Sequence, residues 1–597
     1  MAPVSPSPPL LPLLVAVLLA TAATTECHTH KRHHHHTDRA RRPGKAGAAH
    51  AICRATPHPA SCHAAVAAHL DAGAAAAAKG VETSAVSVQL LPPNVVSVAL
   101  ASLRGALSAV SSLSPALSSA LSPPAAAAYP SGAPLRRGAA QDCLELHAAT
   151  LASLSRSASL LATAPGGGSL PDVRAHLAAA LTNKATCLDG LAGASGSEMD
   201  GLLASLDDAY EHVSNSLALV ARRGGGGGGA AGFAAAVARL HNRRLLQDDD
   251  GGGDGNGDDN DGDSDDSGDG DGDGGNADEP AAATVITVAK DGSGDFRTVG
   301  EAVAAAPNNS RTRTVIRVKA GTYEENVEVP AYKTNIALVG DGRDATVITG
   351  SRSFADGWTT FRSATVGVSG EGFLARDVTF RNTAGAGKGQ AVALRVNADR
   401  AAVYRCGVAG HQDALYAHSF RQFYRECAVS GTVDVVFGNA AAVLQGCALL
   451  AGAPVPGQSV VLTAQGRADP AEDTGIAVHN CTVAASPELL ATGAGTRTFL
   501  GRPWGAYARA VVMDSYLGEL VDPAGWAEWP GAEAGRGDTV YFGEYGNAGP
   551  GADAGGRVRW AGVHEMGYDE AAQFSVESFI YGDEWLDATS FPYDDGV

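Results

Sequence analysis

Amide and carboxylate side chains recur at a fixed interval in the C-terminal half of the chain. Gln390, Gln412 and Asp434 are separated by 22 and 22 residues, and Asp413 directly follows the middle member. The segments around them are rich in Val, Phe and Tyr, as β-strands are. Because an unpaired carboxylate costs several kcal/mol when it is buried in such a core, we expect the two aspartates to line a groove on the outside of the fold.

Two carboxylates at short range cannot both ionise freely. The pKa of one is pushed up and that of the other stays low, which provides one group that can donate a proton and one that can attack. The glutamine amides supply N–H donors suited to a developing oxyanion. The set predicts hydrolysis or transfer at a carbonyl, or cleavage of a glycoside. A structural ladder of polar side chains, which solenoids often contain, is the alternative.

A sequence repeat predicts the scaffold that positions these side chains. The segments "AAVYRCGVAG", "RQFYRECAVSG" and "AAVLQGCALLAG" share one pattern, and their cysteines, Cys406, Cys427 and Cys447, are 21 and 20 residues apart. A period of about twenty residues is typical of a solenoid, in which each coil packs on the next. Residues 284–597 are therefore predicted to form an all-β, right-handed parallel β-helix, in which equivalent residues stack about 4.8 Å apart. A β-sandwich with irregular turns is the alternative.

The N-terminal half has a different composition. Residues 45–223 are rich in Ala, Leu and Ser, and their apolar residues recur at intervals of three and four, which predicts an all-α four-helix bundle. The apolar run from Leu10 to Ala23 ends in small residues and predicts a secretory signal peptide over residues 1–25, with a retained membrane anchor as the alternative. A basic, His-rich leader follows over residues 26–44.

Residues 224–283 connect the two halves. They begin with a run of glycines, continue through Arg243-Arg244-Leu245-Leu246 and end in an acidic Gly/Asp tract. The tract from 248 to 279 holds 15 acidic and no basic residues and almost no apolar side chains, so we expect a self-repelling linker. A dibasic pair beside such a linker is an accessible target for a processing protease.

The charge balance restricts the possible partners. Residues 280–597 carry 25 Lys and Arg against 36 Asp and Glu, a net charge of −11 out of −20 for the whole chain. Proteins that bind nucleic acid usually present a basic face, so we expect no nucleic-acid partner.

Several segments that contain these residues occur in the order found in one enzyme family. They are "AKDGSGDFRTVGEAVAAAP", "GTYEENV", "GWTTFRSATV", "GQAVALR", "GHQDALY", "GTVDVVFGNAAAVLQ" and "FLGRPWGAYARAVVMDS". Together they resemble plant pectin methylesterases (pectinesterases) over essentially all of residues 284–597. In residues 45–223, the C-x8-C opening, "DCLEL" and "TCLDG" resemble the plant invertase and pectin methylesterase inhibitor domain.

The resemblance implies a carboxylic ester hydrolase that acts on methyl-esterified pectin and releases methanol. Asp434 matches the family's nucleophile, and Asp413 matches its general acid and base. Gln390 and Gln412 stand where the family places donors to the oxyanion and the substrate. Arg502, in "GRPW", matches the residue that orients the nucleophile and keeps it ionised.

Other residues match substrate-binding positions in the family, in addition to Gln390 and Arg502. Thr360 matches a substrate-binding threonine, and Trp504 and Trp526 offer faces for sugar rings. A role in packing alone is the alternative for Trp526. The resemblance implies no metal and no organic cofactor.

The cysteines are expected to pair in an oxidising compartment. In the inhibitor family the first cysteine pairs with the second and the third with the fourth, which implies disulfides Cys53–Cys62 and Cys143–Cys187. The cysteine repeat of the C-terminal half predicts Cys406–Cys427 on adjacent coils, and Cys447–Cys481. Asn308 heads an N-x-S sequon.

The family resemblance also implies how the chain is used. We expect a monomer that is secreted to the cell wall and can be bound by separate inhibitor proteins. Its N-terminal domain is expected to restrain or chaperone the enzyme and to be cut away at Arg243-Arg244-Leu245-Leu246. One alternative is a polysaccharide lyase or polygalacturonase on the same scaffold, which would need a calcium-binding acidic cluster or a third catalytic aspartate. The other is a wall-binding or inhibitor protein with a silent C-terminal domain.

Overall fold

The computed structural model describes residues 45–78, 95–121, 133–163, 170–191, 197–221, 284–492, 495–532 and 535–597. The predicted signal peptide, the His-rich leader, the acidic linker and the dibasic processing site all lie outside these residues. The chain from Lys45 onward forms one compact unit.

The N-terminal part of this unit is helical. Its helices, among the residues described, are α1 (Lys45–Cys53), α2 (Pro59–Ala78), α3 (Val95–Leu121), α4 (Ala133–Thr163), α5 (Leu170–Leu191) and α6 (Ser197–Val220). The four long helices α3 to α6 pack around a core of fully buried aliphatic side chains that includes Leu103, Leu154, Leu177 and Leu217. The predicted four-helix bundle is thus confirmed, with a short helical hairpin, α1 and α2, in front of it.

The helical part contains two disulfides, and their pairing is the one that the family resemblance implied. Cys53–Cys62 joins α1 to α2, and Cys143–Cys187 joins α4 to α5. In the described part of the chain, one stretch, Val95–Ser119 of α3, is long and apolar enough to cross a membrane by length and composition. Its apolar face lies in the core of the bundle, where Val98, Leu103 and Val110 are buried.

From Thr284 the chain winds into a parallel β-helix with three long sheets. The first sheet has 11 strands. In order they are β1 (Thr284–Val288), β2 (Thr314–Val318), β5 (Ile336–Gly340), β8 (Leu374–Arg376), β11 (Ala401–Tyr404), β14 (Arg421–Arg425), β17 (Ala441–Gln445), β21 (Gly475–His479), β25 (Arg509–Met513), β27 (Tyr541–Tyr545) and β28 (Val563–Glu565).

The second and third sheets complete each coil. The second sheet consists of β4 (Val327–Val329), β7 (Val366–Val368), β10 (Leu394–Val396), β13 (Leu415–Ala417), β16 (Val436–Gly438), β20 (Thr463–Gln465) and β24 (Arg502–Pro503). The third consists of β3 (Gly321–Glu324), β6 (Thr346–Gly350), β9 (Thr379–Asn382), β12 (Gly407–Ala409), β15 (Ala428–Gly431), β18 (Ala448–Ala451), β22 (Thr482–Ala485) and β26 (Tyr516–Leu517). A short parallel pair, β19 (Val460–Val461) and β23 (Thr498–Phe499), lies beside them.

Short helices cover the ends and one face of the solenoid. They are α7 (Val299–Ala305), α8 (Pro487–Ala491), α9 (Arg536–Thr539), α10 (Tyr568–Ala571) and α11 (Val576–Ile580). Thr298 starts α7 with a capping box, and the helix buries Val299 and Val303 against the first coils. Phe574 and Phe579 at the C-terminus pack on the outer face of the first sheet. These contacts leave the outer face of the second sheet for the site and the bundle.

From β8 to β27, the chain leaves each strand of the first sheet through one residue in the left-handed region. From coil to coil this residue is Asp377, Arg405, Glu426, Gly446, Asn480, Asp514 and Gly546, with φ between 47° and 63°. The next residue is buried in all of these coils but the last, where it is the half-buried Asn547. This corner fixes the register of the coils, because a one-residue slip would move every following side chain to the other face.

The core position after this corner holds the four cysteines of the β-helix, and the prediction that they form disulfides is wrong. Cys406, Cys427, Cys447 and Cys481 are buried free thiols. They lie on successive coils, and their thiols donate to backbone carbonyls instead of pairing. The Cys427 thiol donates to the Val403 carbonyl at 3.4 Å, and that of Cys481 donates to Leu444 at 3.3 Å.

The cysteine state can be tested on the full chain. We expect alkylation in denaturant without reductant, followed by peptide mapping, to label all four β-helix cysteines, because their thiols are unpaired and buried only in the folded state. Cys53, Cys62, Cys143 and Cys187 serve as internal controls and should stay unlabelled until reductant is added. A disulfide-linked peptide that joins Cys406 to Cys427, or Cys447 to Cys481, would contradict the structure.

Candidate active site

Asp413 and Asp434 occupy equivalent positions on neighbouring coils. Leu415 of β13 pairs with Val436 of β16, and each aspartate lies two residues before its member of that pair. Both aspartates have a left-handed backbone, with φ of 66° and 54°. Asp adopts this region more readily than most residues. The two carboxylates therefore stand on adjacent turns, separated by about one strand spacing along the helix axis.

The observed register corrects the predicted column by one residue. The second sheet repeats every 21 residues, from Leu394 to Leu415 to Val436, and not every 22. Asp413, and not Gln412, is thus the neighbour of Asp434 in the ladder. The expected grouping still holds, because both glutamines and both aspartates line one cavity of about 850 Å³.

Arg502 holds Asp434 in a bidentate ion pair. Its Nε donates to Asp434 Oδ1 at 2.8 Å and its Nη2 donates to Oδ2 at 2.6 Å. Two parallel charge-assisted hydrogen bonds fix both the orientation and the charge of a carboxylate. Arg502 belongs to β24, the edge strand of the second sheet, so the same solenoid that stacks the aspartates also places the guanidinium.

The two aspartates differ in their electrostatic surroundings. Burial raises the pKa of Asp413 well above its usual range, and the neighbouring Asp434 raises it further. Burial also raises the pKa of Asp434, but the hydrogen bonds and charge of Arg502 oppose that shift. Asp434 is therefore expected to ionise before Asp413 as the pH rises. The side chains are nearly closed off from solvent, at 4% exposure for Asp434 and 6% for Asp413.

Aromatic rings line the groove beside the carboxylates. Tyr416 and Phe437, on neighbouring coils, stack with ring centroids 4.1 Å apart, and Trp504 lies next to Phe437 at 6.0 Å. Thr360 lines the same cavity, as expected. Such faces suit the rings of a sugar polymer, which present C–H groups above and below the ring.

The structure does not place Trp526 in this groove. Its side chain is 1% exposed and stacks on Phe542 in the core of the β-helix. Trp529, three residues later in "WAEWP", lines the cavity instead, and the Arg502 guanidinium lies 4.4 Å from its ring centre. The sequence analysis named Trp526 and not Trp529, because the side of this loop that faces the groove is decided only in the folded structure.

The helical bundle supplies the opposite wall of the cavity. Leu135, Ala139 and Asp142 of α4 and Thr186 and Asp189 of α5 line it together with the two catalytic candidates. Leu146 of α4 packs into one apolar cluster with the groove aromatics Tyr416 and Phe437. These bundle residues were not expected at the site from sequence, because nothing in a helical repeat shows what its exposed face will contact.

Charged and polar pairs join the bundle to the β-helix on both sides of the cavity. On one side, Asp142 pairs with Arg362 at 2.6 Å. On the other, Asp172 pairs with Arg421 at 2.6 Å and with Arg400 at 3.0 Å. Other contacts are Thr182 with Asn439, Thr186 with His418, Ser214 with Asp469 and Arg174 with Asp473.

The arrangement combines a buried carboxylate paired with arginine, a neighbouring carboxyl group with a raised pKa, and two side-chain amides. Asp434 can attack an electrophilic carbon, and Asp413 can protonate the group that leaves. Gln390 and Gln412 line the same cavity and carry amide N–H groups that suit an oxyanion. In the described residues no group of three or more His, Cys, Asp or Glu side chains has the arrangement of a metal site.

Comparison with known families agrees with this chemistry. The family described as Pectinesterase matches residues 285–583. The family described as Plant invertase/pectin methylesterase inhibitor matches residues 47–219.

Similar proteins match either both parts of the chain or the β-helix alone. A probable pectinesterase/pectinesterase inhibitor of Arabidopsis thaliana is 46% identical over 508 residues, which are 85% of this chain and 89% of the relative. The pectinesterase of Daucus carota is 53% identical over 313 residues, 52% of this chain and 98% of the relative. The solved structure of pectin methylesterase from carrot, 51% identical, covers 54% of this chain and 100% of its own, with a TM-score of 0.52. The chain therefore belongs to the pectinesterase family and joins the enzyme's β-helix to an inhibitor-like helical bundle.

Proposed function

We propose that this chain hydrolyses the methyl esters of homogalacturonan, with Asp434 as nucleophile and Asp413 as general acid and base. The observation that carries the proposal is the Asp413–Asp434–Arg502 arrangement. One carboxylate is paired with a bidentate arginine that opposes the rise of its pKa on burial, and the pKa of the other, on the neighbouring coil, is raised well above its usual range. The products are methanol and de-esterified pectin, and the reaction serves modification of the cell wall.

In the first half of the reaction, an Asp434 oxygen attacks the C6 carbonyl of a methyl-esterified galacturonate. The oxyanion that forms is stabilised by the amides of Gln390 and Gln412. When the C–O bond to the methoxy group breaks, Asp413 gives up its proton to the departing oxygen, and methanol leaves. The galacturonoyl group remains bound to Asp434 as a mixed anhydride.

In the second half, Asp413 is ionised and acts as a base. It takes a proton from water, whose oxygen attacks the acyl carbon and expels the Asp434 carboxylate. The galacturonate leaves with a free carboxyl group, and Asp413 is again protonated. Arg502 stabilises the Asp434 carboxylate at the start and the end of this cycle.

The bundle acts as an intramolecular inhibitor in this proposal. Pectin is a polymer and needs a groove that is open along its length, whereas here α4 and α5 wall off the catalytic cavity. Ion pairs on both sides of that cavity hold the bundle in place. The solved carrot structure supports folding of the catalytic part without the bundle, because it is matched over 100% of its own length by 54% of this chain.

Secretion and processing complete the proposal. The N-terminal signal would direct the chain to the cell wall, where the substrate lies, and a protease that cuts at Arg243-Arg244-Leu245-Leu246 would free the enzyme. Free inhibitor proteins of the bundle family could then bind the exposed groove. Each of these steps follows from the sequence and from the role proposed for the bundle.

Replacing the two aspartates tests the mechanism. We expect Asp434→Asn and Asp413→Asn, each made in residues 284–597, to lower kcat for methanol release by about 10³-fold or more, because Asn keeps the shape and tolerates the left-handed backbone but cannot attack or transfer a proton. The double variant should be scarcely worse than the worse single one, since the two residues act as a unit.

We expect Gln390→Ala to lower kcat for methanol release by a smaller factor, about 10²-fold to 10³-fold, because it removes one donor to the oxyanion. Thermal unfolding of each variant serves as the control for folding. A stably folded Asp434→Asn enzyme with near-normal methanol release would show that the carboxylate pair is structural.

The pH profile tests the role of Arg502. Activity requires Asp434 ionised and Asp413 protonated, so the rate should fall at low pH as Asp434 gains a proton and at high pH as Asp413 loses one. Arg502→Gln removes the charge that opposes the raised pKa of Asp434, so the acidic limb should move upward by on the order of one pH unit, with a lower maximum. Arg502→Lys retains a charge and should move the limb less. An unshifted limb in Arg502→Gln would exclude this electrostatic role.

The inhibitory role predicts activation when the bundle is loosened. In the full chain, Asp172→Asn removes a charge that Arg421 and Arg400 contact across the interface, so we expect about a tenfold rise in activity towards that of residues 284–597. Asp208→Asn, at an exposed position of α6, is the matched control and should change nothing. If the full chain is already as active as residues 284–597, the bundle is not an inhibitor.

A further inference from the structure

A row of polar and basic residues follows the end of the first sheet at which its strands begin. The pairing of β2, β5, β8, β11 and β14 places Arg313, Asn335, Gly372, Arg400 and Arg421 side by side, at equivalent positions of successive coils. Neighbours in such a row lie about 4.8 Å apart. Three of the five are arginines, so this end of the sheet carries a line of positive charge.

Part of this row lines a groove of about 510 Å³, which we call the arginine groove after Arg311, Arg313 and Arg400. It shares no lining residue with the catalytic cavity. The loop that carries Arg311 is fixed by the β-helix itself, because the Asn335 side-chain amide donates to the Ser310 carbonyl at 2.9 Å. The arginine groove is therefore a surface with a defined shape, separate from the site of the proposed chemistry.

The guanidinium groups of the arginine groove are poorly matched by carboxylates. Arg311 is exposed and has no ion pair in the described part of the chain. Arg313 is half-buried and donates to the Gly372 carbonyl at 2.7 Å, and burial lowers its pKa. The Arg400 Nη2 pairs with Asp172 of the bundle, but its Nε is buried without a hydrogen-bond partner among the described residues. An anion in the groove would meet donors that are still available.

Two carboxylates also line the arginine groove but leave its arginines unpaired. Glu371 pairs with Arg156 of the bundle, at 4.0 Å, and Glu584 has no ion pair within the residues that the structure describes. The groove thus holds three guanidinium groups against two carboxylates, in a domain whose net charge is −11. A local positive field on an acidic domain favours a ligand of opposite charge.

The acidic tract of the linker enters the fold at this row. Thr284, the first residue of β1, pairs with the residue that directly follows Arg313. Glu279 precedes Thr284 by five residues, which span up to about 16 Å when extended. Three strand spacings separate Arg313 from Arg400, a distance of about 14 Å. The last carboxylates of the tract are therefore within reach of the arginine groove.

We propose that the acidic tract, residues 248–279, docks in the arginine groove, where its last carboxylates, Asp278 and Glu279, pair with Arg311 and Arg313. The tract holds 15 acidic and no basic residues, so these arginines offset charges that otherwise repel one another. Because the tract is tethered beside the groove, it binds at a high effective concentration, whereas a soluble polyanion must first approach an acidic domain. The linker is then a bound element of the β-helix, whatever reaction the catalytic cavity performs.

The test uses the full chain and a carbodiimide, which joins a lysine amine to a carboxylate in contact with it. Arg311→Lys and Arg313→Lys each place one amine in the arginine groove and keep its charge. We expect peptide mapping to find the introduced lysine joined to residues 248–279, with a yield about tenfold above that of the control Val285→Lys. Val285 is 51% exposed in β1 and is closer to the tract along the chain, but its side chain lies outside the groove.

Two further measurements test whether charge causes the contact. In about 1 M salt, where the Debye length falls to about 3 Å, the yield for Arg311→Lys should fall to that of Val285→Lys. Adding Arg311→Gln to Arg313→Lys should lower the yield about threefold at low salt, because one of the pairing charges is lost.

Equal yields in the groove variants and in Val285→Lys at low salt would overturn the docking, because tethering alone would then explain the cross-links. A yield that neither salt nor Arg311→Gln changes would overturn it as well. Equal yields together with binding of trigalacturonate that Arg311→Gln abolishes would assign the arginine groove to a soluble polyuronate instead. Thermal unfolding of each variant serves as the control for folding, and the exposed Arg311 is the position at which lysine disturbs the fold least.

Discussion

The chemistry of this protein depends on the register of one pair of coils. Because Leu415 pairs with Val436, the two aspartates that precede these residues are brought to the same corner of successive turns. Stacking like charges at strand spacing is unfavourable, and burial adds to the cost. The fold tolerates the pair because a single arginine from a later coil neutralises one member and the other can remain protonated. A shift of one residue in either coil would separate the pair and expose the core.

The dependence of the site on strand register explains which parts of the structure could be predicted from the sequence. The repeat of about twenty residues predicted the solenoid, because each coil must bury the same positions. The grouping of Gln390, Gln412, Asp413 and Asp434 followed from that repeat. The direct neighbour of Asp434 did not, because the spacing between similar side chains is 22 while the spacing between paired strands is 21. The register of a strand is set at the turn that precedes it. Asp413 and Asp434 lie in such turns, before β13 and β16, and both have a left-handed backbone.

Two other predictions failed because they depend on orientation. A cysteine repeat brings thiols onto adjacent coils, but Cys427 and its neighbours point in the same direction and find backbone carbonyl acceptors, so closeness does not lead to bonding. Trp526 and Trp529 lie in one loop, and only the folded loop decides that the first joins the core and the second faces the groove. Composition and spacing indicate which residues lie near one another, whereas the direction in which each side chain points depends on the tertiary packing.

Arg421 and Arg362 both pair with the bundle, but only Arg421 also has a partner within the β-helix. This difference favours reversible docking of the bundle. Arg421 of the β-helix is nearly buried, and its guanidinium is held by Asp399 of the same domain at 2.9 and 2.5 Å as well as by Asp172 of the bundle. When the bundle leaves, the pair with Asp399 remains, so no isolated charge is left in a low-dielectric site. Arg362 differs, because the two carboxylates that pair with its guanidinium, those of Asp142 and Glu145, both belong to the bundle. Under the proposed removal of the bundle, Arg421 would therefore keep a partner in the β-helix, whereas the Arg362 guanidinium would lose both of these carboxylates.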